Sequence, residues 1–216
     1  MQRIFIIRHG KTEWNLAKRL QGAGADSPLR TDYAQQYADL ARYLNQYSYA
    51  AAYSSPLLRA RQTGEIILAK LNQNTVPALQ IAPGLTEISF GQWEGHTRDE
   101  LIANHHELFA KLSARQNDPA LAALGVEDFT AVRQRFAAAI RAISARQAPD
   151  ANILIFAHGG ATQLGIKELT GNEHLLGLKN LSTSILAVQN GEFFVDTYNQ
   201  TAYLKHVDLN EGNVSI

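Results

Sequence analysis

Two short apolar runs constrain the fold of this chain more than any other feature. Residues 4–7 and 153–156 are rich in β-branched and aromatic side chains and lack polar alternation. After one further residue, each run is followed by a His-Gly pair. Strands buried on both faces have this pattern, and such strands belong to parallel sheets covered by helices. The sequence therefore predicts an α/β fold.

Segments between the two runs have helical periodicity. Apolar residues recur there every three or four positions, which places them on one face of a helix. One stripe comprises Tyr33, Tyr37, Leu40, Ala41 and Leu44, and another comprises Phe129, Val132, Phe136, Ile140 and Ile143. The tyrosines of the first stripe are expected in the core rather than on a recognition surface. The order of elements is therefore predicted to be βαβα.

Local signals predict the remaining elements. Pro56 ends a β-rich run, and a helical pattern follows it. Asn190-Gly191 is a dipeptide suited to a type I′ turn between two strands. The expected elements are a strand at 49–55, a helix at 57–71, a short strand at 79–82 and a hairpin of strands 184–189 and 193–198.

The length favours a single domain. A chain of 216 residues can bury one sizeable core, and no linker or repeat divides it. Residues 1–216 are predicted to form one three-layer αβα sandwich with a mostly parallel sheet. The stretch at about 92–126 is mostly helical, rich in polar side chains and interrupted by Pro119, so we interpret it as an inserted helical lid.

Composition excludes several classes of partner. The chain has 20 Lys and Arg, 20 Asp and Glu and no run of basic residues, so neither a nucleic-acid partner nor a membrane partner is expected. It contains no cysteine, which excludes disulfides, zinc–thiolate sites and cysteine catalysis and fits the cytoplasm. The first residues lack the pattern of a signal peptide, and no stretch is long enough to cross a bilayer. A homodimer is left open.

Polar side chains follow several of the predicted strands. The carboxyl ends of parallel strands meet at one edge of the sheet, where such folds bind ligands. Arg8, His9 and Gly10 follow the first strand, and a Ser-Ser-Pro turn leads from the second to Arg59. Glu87 follows the short strand, and His158, Gly159 and Gly160 follow the last parallel strand. These side chains are expected to share one cleft.

The residue types in this cleft suit phosphate chemistry. Arginine binds phosphate oxygens through two parallel hydrogen bonds and neutralises their charge, and glycines let backbone N–H groups approach closely. A neutral imidazole can attack phosphorus, and a loose phosphoryl transition state requires positioning more than a metal. Glu87 can supply and remove the proton, with Glu13 and Glu94 as weaker candidates. No metal and no cofactor is expected.

Two other kinds of site have partial signals in the sequence. His105, His106 and His174 suggest a metal site, but adjacent histidines on a helix diverge by about 100° and no carboxylate spacing completes the ligand set. We interpret them as surface residues. Gly22-x-Gly24 lacks the third glycine of a dinucleotide-binding loop and does not join a strand to a helix, so that site is not predicted.

The string Arg8-His9-Gly10-Lys11-Thr12-Glu13-Trp14-Asn15 resembles the R-H-G-x-T-x-x-N signature of the histidine phosphatase superfamily, which includes cofactor-dependent phosphoglycerate mutases. Further matches follow in family order over nearly the whole chain. They are Gln21-Gly22, Asp26-Ser27-Pro28-Leu29, Ser54-Ser55-Pro56-Leu57, Arg59-Ala60, Thr63, Leu85-x-Glu87, Gly91, Glu94-Gly95 and His158-Gly159-Gly160.

The resemblance implies a role for each matching residue. His9 would become phosphorylated, Glu87 would donate and accept the proton, and three side chains would bind the phosphoryl group, namely Arg8, Arg59 and His158. The residues implied on the substrate side are Gly10, Thr12, Asn15, Gln21, Gly22 and Gly159. A polar segment before the last strands, with Asn180 and Ser182, matches less specifically.

The chain departs from the family pattern at Arg30 and Tyr33, where threonine and glycine are common, and at Ala157, where serine is often found. The segment 90–95 resembles the phosphatase branches rather than the glycolytic mutases. The expected activity is therefore that of a metal-independent phosphomonoesterase that acts on a small phosphorylated metabolite through a phosphohistidine. The alternatives are a cofactor-dependent phosphoglycerate mutase and a non-catalytic sensor of a phosphate ligand.

Overall fold

The computed structural model of the chain describes residues 1–205 and 207, so residues 206 and 208–216 of the predicted domain lie outside the described part. Six strands and seven α-helices occur within it. They are β1 (Gln2–Arg8), α1 (Glu13–Leu16), α2 (Ala34–Leu44), β2 (Ala51–Ser54), α3 (Leu58–Leu68), β3 (Leu79–Ile81), α4 (Arg98–Ser113), α5 (Pro119–Ala123), α6 (Phe129–Ala145), β4 (Asn152–Ala157), α7 (Gly159–Thr170), β5 (Thr183–Gln189) and β6 (Glu192–Gln200). Short 3₁₀ turns lie at Thr31–Tyr33, Pro83–Leu85 and Gly91–Trp93.

The strands form one mixed sheet in the order β3-β2-β4-β1-β5-β6. The two apolar runs pair directly, because β1 is parallel to β4 with Ile4 opposite Ile153 and Ile7 opposite Phe156. β2 is parallel to both β4 and β3, whereas β5 is antiparallel to β1 and to β6. The predicted mostly parallel sheet is confirmed.

Alternate residues of the central strands enter two separate cores. Ile4 and Ile6 belong to a core that includes residues of α6 and α7, whereas Phe5 and Ile7 belong to a core that includes residues of α2 and α3. Helices therefore cover both faces of the sheet, as the absence of polar alternation predicts. The three-layer αβα sandwich is confirmed, and the predicted stripes supply the helix faces that cover the sheet. Tyr33 is the exception, because it precedes α2 in a 3₁₀ turn and is only partly buried against the second core.

Two element boundaries differ from the sequence prediction. The strand predicted at 49–55 begins at Ala51, because Tyr49 is bound outside the sheet: its N–H donates to Gln73 Oε1 and its hydroxyl to the carbonyl of Leu44. The helix predicted at 57–71 ends at Leu68. It continues only as tighter turns, in which the N–H of Leu71 donates to the carbonyl of Leu68.

Helices α4 and α5 lie between β3 and α6, in the stretch interpreted as a helical lid. Thr97 begins α4 with a capping box, and Asp118 caps α5 so that Pro119 occupies its first turn, where a missing N–H costs nothing. Phe109, Leu112 and Leu121 belong to the same core as α6. The lid is therefore packed on the α6 side of the sheet.

The predicted C-terminal hairpin is formed by β5 and β6. Asn190 and Gly191 both have positive φ angles, of 53° and 82°, as a type I′ turn requires. Among the described residues, no helix combines the length and apolar character needed to cross a bilayer.

Candidate active site

Three parallel strands end side by side at one edge of the sheet. The last residue of β1, Arg8, lies opposite the last residue of β4, Ala157. The ladder continues beyond the strands, since the N–H of His9 donates to the carbonyl of Ala157 and the N–H of Ser55 donates to the carbonyl of Phe156, each at 3.0 Å. His9, Ser55 and the residue after Ala157, His158, are therefore neighbours.

His9 is buried, and its ring orientation is fixed by its own backbone neighbour. Its Nδ1 lies 2.8 Å from the carbonyl oxygen of Gly10, and a carbonyl can only accept, so Nδ1 carries the proton. Nε2 is left with its lone pair. Burial, followed by the positive charges of Arg59 and Arg8, lowers the pKa of His9 well below its ordinary value of 6.5. The imidazole is therefore neutral and poised as a nucleophile at neutral pH.

His158 is the second histidine of the site. Its ring centroid lies 5.3 Å from that of His9, and its Nε2 lies 2.7 Å from the hydroxyl oxygen of Ser55. Its Nδ1 is buried and has no hydrogen-bond partner among the described residues. Burial, and then the charge of Arg59, lowers the pKa of His158 well below 6.5. Nδ1 is the ring nitrogen left to contact a bound group.

Arg8 ends β1 with its guanidinium buried. Nη1 donates to the carbonyl of Leu178, and the backbone carbonyl of Arg8 accepts from the N–H of Leu181 at 3.1 Å. Burial lowers the pKa of Arg8 to about 10, while the nearby carboxylate of Glu87 raises it and Arg59 lowers it. Even so, Arg8 stays charged at neutral pH. The segment before β5 thus holds this cation at the edge of the sheet.

Arg59 comes from the first turn of α3 and is 1% exposed. Its Nη2 donates to the carbonyl of Gly22 at 2.8 Å, and its Nη1 donates to the carbonyl of Ala25 and to Oδ1 of Asp26, both at 3.1 Å. Oδ2 of Asp26 also accepts from the N–H of Leu58 at 2.6 Å, at the start of α3. Three acceptors of the 22–26 loop therefore fix the guanidinium.

Glu87 brings a carboxylate to the same site. Its Oε1 accepts from the N–H groups of Ile88 and Ala161 at 3.0 and 2.7 Å, and its Oε2 accepts from the N–H of Gly160 at 3.1 Å. Two of these donors belong to the first turn of α7, where the helix dipole favours negative charge. The carboxyl group is held in one orientation, and Oε2 retains more acceptor capacity than Oε1.

The structure places the residues implied on the substrate side in the loops around His9. The N–H of Gly10 donates to the hydroxyl of Thr63 at 2.9 Å. Thr12 and Asn15 form the capping box of α1, and Nε2 of Gln21 donates to the hydroxyl of Thr12.

The remaining substrate-side residues lie on neighbouring elements. Gly22 has a φ of 61° and supplies the carbonyl that binds Arg59. Gly159 is buried at the start of α7. Nδ2 of Asn180 donates to the carbonyl of His9 at 3.0 Å, which places the less specific polar segment beside the nucleophile.

Other candidates lie elsewhere. Glu13 is exposed and pairs with Arg30 at 3.0 Å, whereas the side chains around His9 are buried. The carboxylate of Glu94 accepts from backbone N–H groups of a neighbouring loop. His105, His106 and His174 are exposed, and no group of three or more metal-ligating side chains occurs in residues 1–205 and 207.

The two departures from the family pattern near the start of α2 contact each other on the surface. Arg30 binds both carboxylate oxygens of Asp32, at 3.0 and 2.7 Å, and lies over the ring of Tyr33 at 5.8 Å. The ammonium of Lys11 also lies over the ring of Tyr33, 5.4 Å from its centroid. These side chains contact one another beside the loop and none of these contacts involves His9.

Four residues contact the site in ways that the sequence did not predict. Ser55, Asp26 and Thr63 occur in the matched motifs, but no local pattern shows which partner each one contacts. Arg115 has no sequence signal at all. It follows α4 with a φ of 56°, and burial lowers its pKa to about 10 against the opposing effect of Glu87. The lid therefore contributes a cation beside Glu87.

The arrangement can bind a phosphoryl dianion and transfer it. Two buried guanidiniums, a histidine nitrogen without a partner among the described residues and the start of a helix surround the neutral nucleophile. Buried charges of this kind stabilise a transition state more strongly than they would in water.

Comparison with known proteins identifies the family. A family model described as the histidine phosphatase superfamily (branch 1) matches residues 4–201. The fructose-2,6-bisphosphatase TIGAR B of Danio rerio is 32% identical over 193 residues, which cover 88% of this chain and 70% of that protein. A metal-independent phosphoserine phosphatase of Arabidopsis thaliana is 26% identical over 204 residues, covering 94% of this chain and 84% of that protein.

A solved structure agrees with these sequence matches. YhfR of Bacillus stearothermophilus superposes with a TM-score of 0.81 at 26% identity, covering 94% of this chain and 99% of that one. The matched residues 4–201 include the loops that carry His9, Glu87 and His158. The chain belongs to the histidine phosphatase superfamily.

Proposed function

We propose that this chain is a metal-independent phosphomonoesterase that acts on a small phosphorylated metabolite through a phosphohistidine at His9. One observation carries the proposal. The contact of Nδ1 with the carbonyl of Gly10 leaves Nε2 as the nucleophilic nitrogen, in a buried site with Arg8 and Arg59. Membership of the family supports the phosphatase activity.

In the first step, Nε2 of His9 forms a bond to phosphorus and the ester P–O bond breaks. Arg8, Arg59 and His158 bind the non-bridging oxygens, and the two guanidiniums neutralise their charge, which is the main requirement of a loose phosphoryl transition state. The leaving oxygen takes its proton from the carboxyl group of Glu87. We assign that proton to Oε2, because it accepts one backbone N–H whereas Oε1 accepts two.

In the second step, water attacks the phosphohistidine. The carboxylate of Glu87 now removes a proton from the water as the new P–O bond forms, and the P–N bond breaks. The electron pair of that bond returns to Nε2, so His9 is neutral again and inorganic phosphate leaves. The proton that Glu87 donated in the first step is thereby restored, and the same group serves as acid and then as base.

The surroundings of the site suggest the kind of substrate and partner. The central side chains are almost fully buried, namely those of Arg8, His9, Arg59, Glu87 and His158. This burial favours a small phosphomonoester whose leaving group extends towards the lid. The formal net charge of zero supports neither a nucleic-acid nor a membrane partner. A cytoplasmic location fits a chain without cysteine. Gel filtration would decide between a monomer and a homodimer.

Hydrolysis of p-nitrophenyl phosphate in EDTA tests the proposal. The parent protein should turn over, His9→Ala should lose at least about 10³-fold in kcat/KM, and His106→Ala, which removes an exposed histidine of the lid, should behave like the parent. Labelled substrate should leave acid-labile phosphate on the parent and none on His9→Ala. Turnover that survives in His9→Ala, or that EDTA abolishes, would contradict the mechanism.

The alternatives have their own readouts. A phosphoglycerate mutase would interconvert 2- and 3-phosphoglycerate in a reaction that depends on added 2,3-bisphosphoglycerate. A sensor would bind phosphate esters without turnover. Either result, in the absence of ester hydrolysis, would replace the proposed function.

A further inference from the structure

The loop that binds Arg59 is also hydrogen-bonded to one of the first residues of the lid, Glu94. Residues 21–26 have no helix or strand, yet three of their acceptors bind the guanidinium of Arg59. The N–H groups of Ala23 and Gly24 donate to Oε1 of Glu94 at 3.1 and 3.3 Å. A loop without regular structure is thus held from the lid side by one carboxylate oxygen.

The same oxygen also binds the connection that leads into the lid. The N–H of Phe90 donates to Oε1 of Glu94 at 3.0 Å, so three backbone donors from two segments meet at one atom. Charge-assisted hydrogen bonds of this kind are stronger than neutral ones. Glu94 therefore links the segment that leads into the lid with the loop that binds Arg59.

Close packing around the carboxylate leaves the loop little freedom to shift. A Cβ atom on Gly22 would lie 2.1 Å from Oε1 of Glu94, and one on Gly24 would lie 2.8 Å from Oε2. Gly22 also has a positive φ, which glycine adopts at little cost. The carbonyl of Gly22, which shares a peptide unit with the bound N–H of Ala23, is the acceptor for Nη2 of Arg59.

We propose that Glu94 is a positioning residue for phosphoryl binding. It holds the 22–24 loop, and through the carbonyl of Gly22 it fixes the guanidinium of Arg59 in the phosphate site. This inference rests on the proposed function for its catalytic consequence, but its binding consequence requires only that Arg59 binds phosphate. Glu94 touches neither the nucleophile nor the proton donor in any contact of the described residues, so it acts through Arg59.

A graded series of variants tests the proposal. Glu94→Leu removes the acceptor and should lower kcat/KM by about 10- to 100-fold, since a displacement of about 1 Å at a reacting group has that effect. Its dissociation constant for inorganic phosphate, measured by calorimetry, should rise roughly 10-fold. Glu94→Gln retains a carbonyl oxygen in the place of Oε1 and should restore both quantities to within about 3-fold of the parent.

Asp118→Leu is the matched control. Asp118 is also a lid carboxylate that accepts a backbone N–H, from Ala120 at 2.8 Å, but it lies at the start of α5. It should lower the melting temperature without changing phosphate affinity. A merely structural role for Glu94 predicts the same behaviour in Glu94→Leu, and a folded Glu94→Leu with the phosphate affinity of the parent would overturn the proposal.

A double-mutant cycle with Arg59→Ala tests whether Glu94 acts through Arg59. If Glu94 acts through Arg59, Glu94→Leu should change phosphate affinity by less than about 2-fold once Arg59 is gone. An undiminished effect would overturn the inference. Should Glu94→Leu fail to fold, Gly24→Ala replaces it, because its Cβ presses on Oε2 of Glu94. That variant should lower phosphate affinity in the same direction, and unchanged affinity would count against the proposal.

The failure of the proposed function would be distinguishable. If the parent hydrolyses no ester but phosphate affinity still falls in Glu94→Leu and recovers in Glu94→Gln, the positioning role holds and the catalytic assignment is wrong.

Discussion

The hydroxyl oxygen of Ser55 lies 2.7 Å from Nε2 of His158. The two residues directly follow the neighbouring parallel strands β2 and β4, so the sheet itself brings them together. The contact occupies one ring nitrogen and leaves Nδ1, which has no partner among the described residues. Ser55 therefore determines how the imidazole of His158 is presented to a phosphoryl group.

Ser55→Ala should lower kcat/KM for p-nitrophenyl phosphate by roughly 10-fold, the size expected for a lost hydrogen bond that orients a binding group. The hydroxyl fixes the rotation of the ring, and without it Nδ1 samples unproductive orientations. Ser48→Ala, an exposed serine on the connection before β2, is the control. Equal kcat/KM values for the parent and a folded Ser55→Ala would show that Ser55 does not orient His158.

Arg115→Met should lower kcat/KM on the order of 10-fold, because it removes a positive charge from the region of Glu87 and the phosphoryl site. Nη2 of Arg115 lies 3.4 Å from the point where a Cβ on Gly160 would stand, and Oε1 of Glu87 lies 3.0 Å from it. Lys111→Met serves as the control, since Lys111 is an exposed cation of α4 that pairs with Asp118 at 2.6 Å. If Arg115→Met has the same kcat/KM as Lys111→Met, a role for Arg115 is excluded.

The group around His9 could be predicted because it depends on a topological rule. Apolar runs at 4–7 and 153–156 identify β1 and β4, and the carboxyl ends of parallel strands share an edge. The residues that follow must then be neighbours, wherever they lie in the chain. The signature around His9 predicted the register of the remaining loops, and the structure places Arg8, Arg59 and His158 near His9.

The supporting contacts could not be predicted in the same way. Asp26 binds Arg59 across 33 positions, and Thr63 binds the N–H of Gly10 across 53. These pairs depend on how a loop and a helix pack, which has no period in the sequence. Arg115 depends on a left-handed backbone conformation after α4, and non-glycine residues adopt it rarely. Glu94, expected only as a weaker candidate for the proton donor, binds the N–H groups of Ala23 and Gly24 across 71 and 70 positions.

The stability of the protein should fall as the pH drops below 6.5. Burial lowers the pKa of His9 and of His158 well below 6.5 in the folded chain, whereas both titrate near 6.5 when unfolded. Above pH 6.5 neither state binds these protons, and the free energy of unfolding is unaffected. Below it only the unfolded chain binds them, so stability is lost until the folded pKa is reached.

Urea unfolding between pH 7.5 and 4.5 measures this effect. In the acid range the parent should lose about 1 kcal/mol per pH unit more than His158→Gln, because each buried histidine contributes a proton to the difference between the two states. His106→Gln, which replaces an exposed histidine, should keep the slope of the parent. If His158→Gln shows that slope too, His158 is protonated in the folded chain.

Gly10→Ala should both destabilise and inactivate the protein. A Cβ atom at this position would lie 1.8 Å from the hydroxyl oxygen of Tyr37 and 2.6 Å from its Cζ, and Tyr37 is buried on α2. We expect a loss of roughly 1–3 kcal/mol in the free energy of unfolding, as for other overpacked core positions. Activity should fall further, since the carbonyl of Gly10 fixes Nδ1 of His9.

Tyr37→Phe tests whether contact with the Tyr37 hydroxyl causes the losses expected in Gly10→Ala. It removes the hydroxyl oxygen, the atom nearest to the added methyl group, but leaves the ring carbon at 2.6 Å. The double variant Gly10→Ala with Tyr37→Phe should therefore recover part of the stability and part of kcat/KM, a non-additive result expected of residues in contact. Tyr37→Phe alone should stay close to the parent in both. A double variant no better than Gly10→Ala would mean that removal of the Tyr37 hydroxyl alone does not make room for a side chain beside the nucleophile.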